Sequence, residues 1–493
     1  MESYMERGAG VLLPISSLPS AYGIGTLGKE AFLFIDQLKE AGQRYWQVLP
    51  VGPTSYGDSP YQSFSAFAGN PYFIDLETLK EESLLSDDDL QTIQKVENEE
   101  YIDYEKLWIE RYPLLRKAYA CFNGSETYEH FVHAEQHWLN DYALFMACKR
   151  HFEQKSWLEW EESIRFRTKE GMVKYTSLLK EEIEFWKFVQ FKFYQQWEKV
   201  KCYANASGIQ LIGDIPIYVA MDSADIWMNP KQFQMNKEGE PTRVAGCPPD
   251  IFSEDGQKWG NPLYDWKAME QDSFSWWKAR MKASARLYDV IRIDHFIGIV
   301  RYYVIPIDES AKSGWYEQGP GEKLIQAIKE SVGTAKVIAE DLGVLTEEVK
   351  AVLTKSGFPG MKVLEFAFEN NANNMYLPHN YIRNCVVYGG THDNDTLYSY
   401  FNTLEDSARE HAFRYCGATG MHDIIEKVFE MAYRSVADIA IFQMQDILEK
   451  GNEARMNLPS TLGQNWKWRM TKGEFTVKHR KKLRNLAETF GRI

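Results

Sequence analysis

Short apolar, β-branched runs alternate along the chain with stretches whose apolar residues recur every three to four positions. The runs "GVLLP" (10–14), "YWQVLPV" (45–51), "IQLIGDIPIYV" (209–219), "VIRIDHF" (290–296), "KVIAEDLG" (336–343), "MKVLEFAF" (361–368), "CVVYGGTHD" (385–393) and "VADIAIFQMQ" (436–445) read as strands. Helical periodicity occupies 28–41, 277–287, 322–331, 345–355, 406–416 and 422–434. Eight strands with helices between most of them predict an α/β fold, a (β/α)8 TIM barrel. A doubly wound open sheet is the second architecture the alternation allows.

Two interruptions are too long for barrel loops. From 76 to 206 the chain is acidic and then helical in pattern, as in "EKLWIERYPLLRKAYACF" and "EIEFWKFVQFKFYQQWEKV", which predicts a mainly helical insertion after the second strand. From 220 to 275 it is rich in Pro, Gly and aromatic residues and poor in periodicity, as a substrate-side loop would be. No internal repeat marks a second unit, so residues 1–493 are expected to form one catalytic domain with these insertions.

Composition narrows the function classes. Hydrophobic residues at 44% and charged residues at 26% are those of a globular protein, and a formal net charge of −14 argues against a nucleic-acid or anionic-membrane partner. Fifteen Trp and 28 Tyr supply flat faces that suit sugar rings, although a large core also consumes aromatics. Cys121, Cys148, Cys202, Cys247, Cys385 and Cys416 lack C-x-x-C spacing and read as reduced thiols. No window reaches the ~18 apolar residues of a membrane span, and the amino terminus carries only a very short apolar run. A cytoplasmic location is therefore expected, and the sequons at Asn123, Asn205 and Asn394 carry no glycosylation meaning. "HFVHAEQH" spaces His130, His133 and His137 for one helical face, where a solvated face accounts for them better than zinc. "GPGEK" lacks phosphate-loop spacing, so neither metal nor nucleotide cofactor is expected.

The chemistry lies where the strands end. Asp214 ends "LIGD", Arg292 and Asp294 end "VIRID", Glu340 ends "VIAE", and His392 with Asp393 follows "VVYGGT". In a barrel the carboxyl ends of the strands share one cleft, so residues far apart in sequence converge. Singly, each carboxylate could be a cap or turn, and Arg292 with Asp294, on one face of a strand, could be a core ion pair. As a set they suit glycosidic cleavage with retention, which needs an ionised nucleophile and a protonated acid. Arg292 is expected to hold Asp294 ionised, and neighbouring negative charge to raise Glu340 toward its acid form.

"SSLPSAYGIGTLG", "WQVLPVGPTSYGDSPYQSFSAFAGNPYFIDL", "GDIPIYVAMDSADIW", "PPDIFSEDGQKWGNPLYDW", "RIDHFIG", "AEDLG" and "GTHDNDT" together resemble the 4-α-glucanotransferases, also called amylomaltases or disproportionating enzymes. These are the family 77 glycoside hydrolases, relatives of the α-amylases. The resemblance implies Asp294 as nucleophile, Glu340 as general acid/base and Asp393 as transition-state stabiliser. It implies Asp214, Arg292, His392 and Tyr61 around the donor sugar, and Tyr56 at a second glucan site found in some members. It further implies a barrel without a carboxyl-terminal β-sandwich, and about 45 residues after "IFQMQDIL" are indeed too few for one.

The "PPDIF" segment, with Asp250 and Phe252, resembles a loop that arches over the cleft; with Trp259 it offers a hydroxyl partner and two aromatic faces that could keep water from the intermediate. Cys247 departs from the aliphatic residue usual there, which touches only the packing of that loop. The expected partners are α-1,4-glucans and maltooligosaccharides, with glucose as acceptor. Hydrolysis by the same site, or glucan binding without catalysis, are the competing functions; an intact acid and nucleophile argue against the latter.

Overall fold

A computed structural model describes residues 4–93, 99–249, 253–369 and 371–493. Its strands are β1 (Gly8–Leu12), β2 (Tyr45–Gln47), β3 (Gln210–Ile215), β4 (Arg243–Cys247), β5 (Gln257–Pro262), β6 (Val290–Ile293), β7 (Arg301–Pro306), β8 (Trp315–Gln318), β9 (Lys336–Ala339), β10 (Gly360–Val363), β11 (Cys385–Tyr388) and β12 (Ile439–Gln443).

Eight of these form one all-parallel sheet in the order β10-β11-β12-β1-β2-β3-β6-β9. The sheet curls until its edges meet, where the Ala339 N–H donates to the Pro359 carbonyl at 3.0 Å. This is the (β/α)8 barrel, and the open-sheet alternative falls. Each of the eight runs named from the sequence supplies one barrel strand, because a strand covered on both faces is apolar throughout. Alternation then sorts the side chains. Ile439 and Ile441 of β12 pack inside with Leu12, Ile212, Val290 and Ile338, while Ala440 and Phe442 pack outward against the helical layer.

Between β2 and β3 run helices that include Tyr104–Ala120, Gln136–His151 and the long Lys180–Ala206. One helix ends at Ala134 and the next begins at Gln136, so His130 and His133 share a helix that His137 does not. The single histidine face read from the spacing is therefore broken, and among the described residues no group of three His, Cys, Asp or Glu could hold a metal ion.

The sequence pattern missed a second sheet. Strands β5-β4-β7-β8 pair antiparallel, and both β4 and β5 lie within the stretch read as irregular. Gly and Pro within "QKWGNP", and a register shift between Val244 and Gly246, erase the period that would have announced it. After β12 the last described helix is Val477–Thr489, and no strand follows β12 among the described residues. No helix among the described residues is long and apolar enough to cross a membrane.

Candidate active site

The carboxyl ends of β3, β6, β9 and β11 meet at one end of the barrel, and register aligns their polar residues. Asp214 stands opposite Arg292 across the β3–β6 pair, and Arg292 opposite Ile338 across the β6–β9 pair. Just past the strands, backbone hydrogen bonds continue the ladder: Asp294 N–H to the Ile215 carbonyl at 2.9 Å, and Glu340 N–H to the Ile293 carbonyl at 3.0 Å. The two proposed reacting carboxyls thus hang from neighbouring strands whose backbones are tied at that level.

Arg292 is buried, and its Nη1 donates to both Asp214 oxygens at 2.8 and 2.7 Å while standing 3.0 Å from Asp294 Oδ1. The Tyr61 hydroxyl donates to Asp214 Oδ2 at 2.7 Å. One guanidinium is therefore shared between two aspartates, which changes the expected electrostatics. Burial raises the Asp294 carboxyl above its ordinary range; Arg292 pulls it down, and the charges of Asp214 and Asp393 push it up again. Arg292 acts in the direction read from "VIRID", but desolvation outweighs it. Glu340 is also raised, first by burial and then by the charge of Asp294. The N–H groups of His295 at 2.6 Å and Leu342 at 2.7 Å bond its two oxygens and oppose that rise without cancelling it. Two adjacent carboxyls, one buried and one half-buried and both raised, favour retaining a proton between them.

Asp393 is held by a segment that sequence reasoning missed. Asn457 donates its Nδ2 to Asp393 Oδ1 at 2.6 Å, Arg455 donates to the Asp393 carbonyl at 2.7 Å, and the Asn457 N–H reaches the His392 carbonyl at 3.1 Å. His392 Nε2 lies 3.3 Å from Asp393 Oδ2. Burial lowers the His392 pKa, which favours the neutral ring, and the charge of Asp393 opposes that shift. Tyr61 stacks on His392 with centroids 5.1 Å apart, and Trp466 leans on both at 5.8 and 5.9 Å. Only the polar and aromatic density of "RMNLPSTLGQNWKW", after the last strand, hinted at these partners.

Trp259, on β5, packs edge-on against His295 with centroids 5.0 Å apart, which brings the second sheet to the cleft. Tyr56 opens the short turn Tyr56–Asp58, five residues before Tyr61. Asp250 and Phe252 lie outside the described residues.

A family model described as 4-alpha-glucanotransferase matches residues 13–476. A 4-alpha-glucanotransferase of Clostridium butyricum is 50% identical over 97% of this chain and 99% of its own, and one of Thermus thermophilus is 44% identical over 99% and 100%. An amylomaltase of Streptococcus agalactiae, solved in complex with acarbose, superposes with a TM-score of 0.96 at 41% identity, covering 99% of this chain and all of that one.

Proposed function

The chain belongs to the 4-α-glucanotransferases of glycoside hydrolase family 77, and from that premise we propose how its own residues carry out the transfer. Asp294 attacks the anomeric carbon of a glucan while Glu340 gives its proton to the departing 4-oxygen. The bond between the two sugars breaks, a glycosyl ester forms on Asp294, and the reducing-end fragment leaves. Glu340, now a carboxylate, takes the proton from the 4-hydroxyl of an acceptor, which attacks the ester and regenerates Asp294. Two inversions give net retention.

The observation that carries this reading is the pair of carboxyls on adjacent strand ends, Glu340 buried and Asp294 half-buried, of which Asp294 touches an arginine. The arginine biases ionisation toward Asp294 and leaves the proton to Glu340. Asp393 serves the charge that develops at the anomeric centre, and its orientation depends on Asn457. Tyr61, Asp214, Arg292 and His392 surround the donor sugar. Trp259, Asp250 and Phe252 shield the ester from water, and Tyr56 stacks a glucan outside the catalytic subsites. The substrates are α-1,4-glucans and maltooligosaccharides in the cytoplasm, glucose serves as acceptor, and no nucleic acid takes part.

Incubation with maltotriose tests the reaction and its roles together. Transfer yields glucose and a ladder of longer glucans with no net gain of reducing ends, whereas hydrolysis shortens the substrate and gains them. With Glu340→Gln and an activated glycosyl donor, mass spectrometry should find the sugar on Asp294; its attachment to another residue would overturn the nucleophile assignment.

A further inference from the structure

Just past β10, Glu365 lies against the step from β11 into the loop that carries Asp393. Its N–H donates to the Gly389 carbonyl at 3.2 Å, and a β-carbon added to Gly390 would stand 2.5 Å from Glu365 Oε1 and 3.0 Å from the Asn394 β-carbon. Glycine at 390 is what leaves the carboxyl that room. Asn394 links the two sides: its Oδ1 accepts from the Thr391 N–H at 2.9 Å and from the Thr391 hydroxyl at 2.8 Å, and the amide stands beside the Glu365 carboxyl. The Thr391 hydroxyl oxygen in turn accepts from the Asp393 N–H at 3.3 Å. Contacts therefore run without a break from Glu365 to the backbone of Asp393.

The groups that face Glu365 decide its charge. Asp446 comes from the turn after β12, Asp395 from the loop after β11, Tyr400 from the helix Leu397–Thr403, and Arg455 from the segment beyond β12. Arg455, the cation of this group, is engaged elsewhere: it donates to the carbonyls of Asp393 at 2.7 Å and Asn457 at 2.9 Å, and its Nη1 stands 4.0 Å from Asp395 Oδ2. Asp395 is well served as an anion by the Thr396 N–H, the Ser399 hydroxyl and Asn452 Nδ2, each at 2.8 Å. Asp446 accepts the Leu397 N–H through Oδ1 at 2.7 Å, but its Oδ2, like Glu365 Oε1, is buried without a hydrogen-bond partner among the described residues. Two buried acceptors without donors, beside one guanidinium for three carboxyls, are an arrangement that an added proton relieves. Burial raises the Glu365 carboxyl well above its ordinary range, with the charges of Asp446 and Asp395 adding to the rise, and burial pushes Asp446 up to about 7. Resting on the role given above to Asp393, we propose that Glu365 works as a neutral carboxylic acid, a positioning residue whose proton lets it pack against Gly390 and Asn394 and so hold the turn that carries Asp393.

Glu365→Gln keeps the shape and a donor while fixing the group neutral, and Glu365→Leu keeps bulk but removes every polar atom. Infrared difference spectra of the parent against Glu365→Gln at neutral pH read the proton directly. The parent should contribute a carboxylic-acid carbonyl stretch, shifted in heavy water, that the variant lacks; a loss of carboxylate bands in its place would overturn the proposal. Disproportionation of maltotriose reads the positioning. Glu365→Gln should keep kcat within about twofold, whereas Glu365→Leu should lower it about tenfold, the worth of one lost polar contact, with the donor KM held within about twofold. A loss of about tenfold in Glu365→Gln would mean that the loop needs the anion, and a parent-like kcat in Glu365→Leu would mean that the carboxyl positions nothing; either overturns the proposal. Should Glu365→Leu not fold, the proposal stands or falls on the infrared band and on the turnover of Glu365→Gln. Failure of the role given to Asp393 would appear separately, as near-native turnover in Asp393→Asn.

Discussion

At the amino ends of the barrel strands, the buried guanidinium of Arg492 donates to the carbonyls of Tyr433, Gly8, Asp438, Ala432, Ser435 and Ala437 at 2.7 to 3.3 Å. Arg7 reaches the Ala437 and Ser435 carbonyls beside it. At the carboxyl ends, the equally buried Arg292 shares its Nη1 between two aspartates and leaves a third carboxyl, Glu340, bonded among the described residues to two peptide N–H groups. One end spreads each charge over neutral dipoles until its donors are met. The other crowds like charges into one cleft and accepts left-handed backbone at His295 and Trp466. The first end relieves its buried charges, and the second carries an incompletely relieved electrostatic cost, as the proposed chemistry requires.

The sharpest way to break this contrast is to remove that cost. Asp294→Asn and Glu340→Gln should each lower disproportionation of maltotriose by about four orders of magnitude or more. Near-native turnover in either would sink the assignment. Stability should move the other way, and the sign follows from the direction of the shift. Glu340 has a folded pKa above its ordinary value, so holding it as an anion costs nothing below the ordinary carboxylate range and progressively more as pH rises through the folded value. Calorimetry of Glu340→Gln should therefore show a melting temperature raised by a few degrees at pH 8 and little changed at pH 4.

Arg492→Ala tests the other end. It strips the shared donor from the carbonyls of Gly8 and Asp438 and should destabilise by about 2–4 kcal/mol in denaturant unfolding, with kcat/KM per folded molecule held within about twofold. A large catalytic loss in the folded fraction would mean that the two ends are coupled. A smaller effect is expected from Asn457→Ala, which frees Asp393 Oδ1 and should cost about 10- to 100-fold in kcat with a modest change in KM. A loss confined to KM would place Asn457 on the sugar instead of on Asp393. The mildest is Tyr61→Phe, which keeps the stack on His392 but removes the hydroxyl from Asp214. A rise of about five- to tenfold in donor KM is the expected result, and no change would mean that the stack alone matters.

The contrast also separates what could be read from the chain from what could not. The barrel strands were legible because each is a short apolar run buried on both sides. The gathering of Asp214, Arg292, Asp294, Glu340 and Asp393 at one end of the barrel was legible because a charge closing such a run has few structural excuses. The sharing of Arg292 was not, since Asp214 lies 78 positions away and "VIRID" shows only one of its two partners. The second sheet escaped because β4 pairs with β7, across intervening chain, and its Gly and Pro break the alternation. His295 stood in plain sight within "RIDHF", but a positive φ leaves no mark on a residue other than glycine. Asn457 reaches Asp393 across 64 positions, a contact that only the closed barrel brings about.

Arg492 also bears on how the protein is made. Its bond to Gly8 joins residues 484 positions apart, and β1 finds one of its two neighbours only in β12. At roughly 5–20 residues per second of synthesis, the first strand waits on the order of a minute for the residues that cover it. Throughout that interval the nascent chain presents an open parallel edge, the kind of surface that pairs with the wrong neighbour. Closure is thus a late event, and the cell must guard the seam until then.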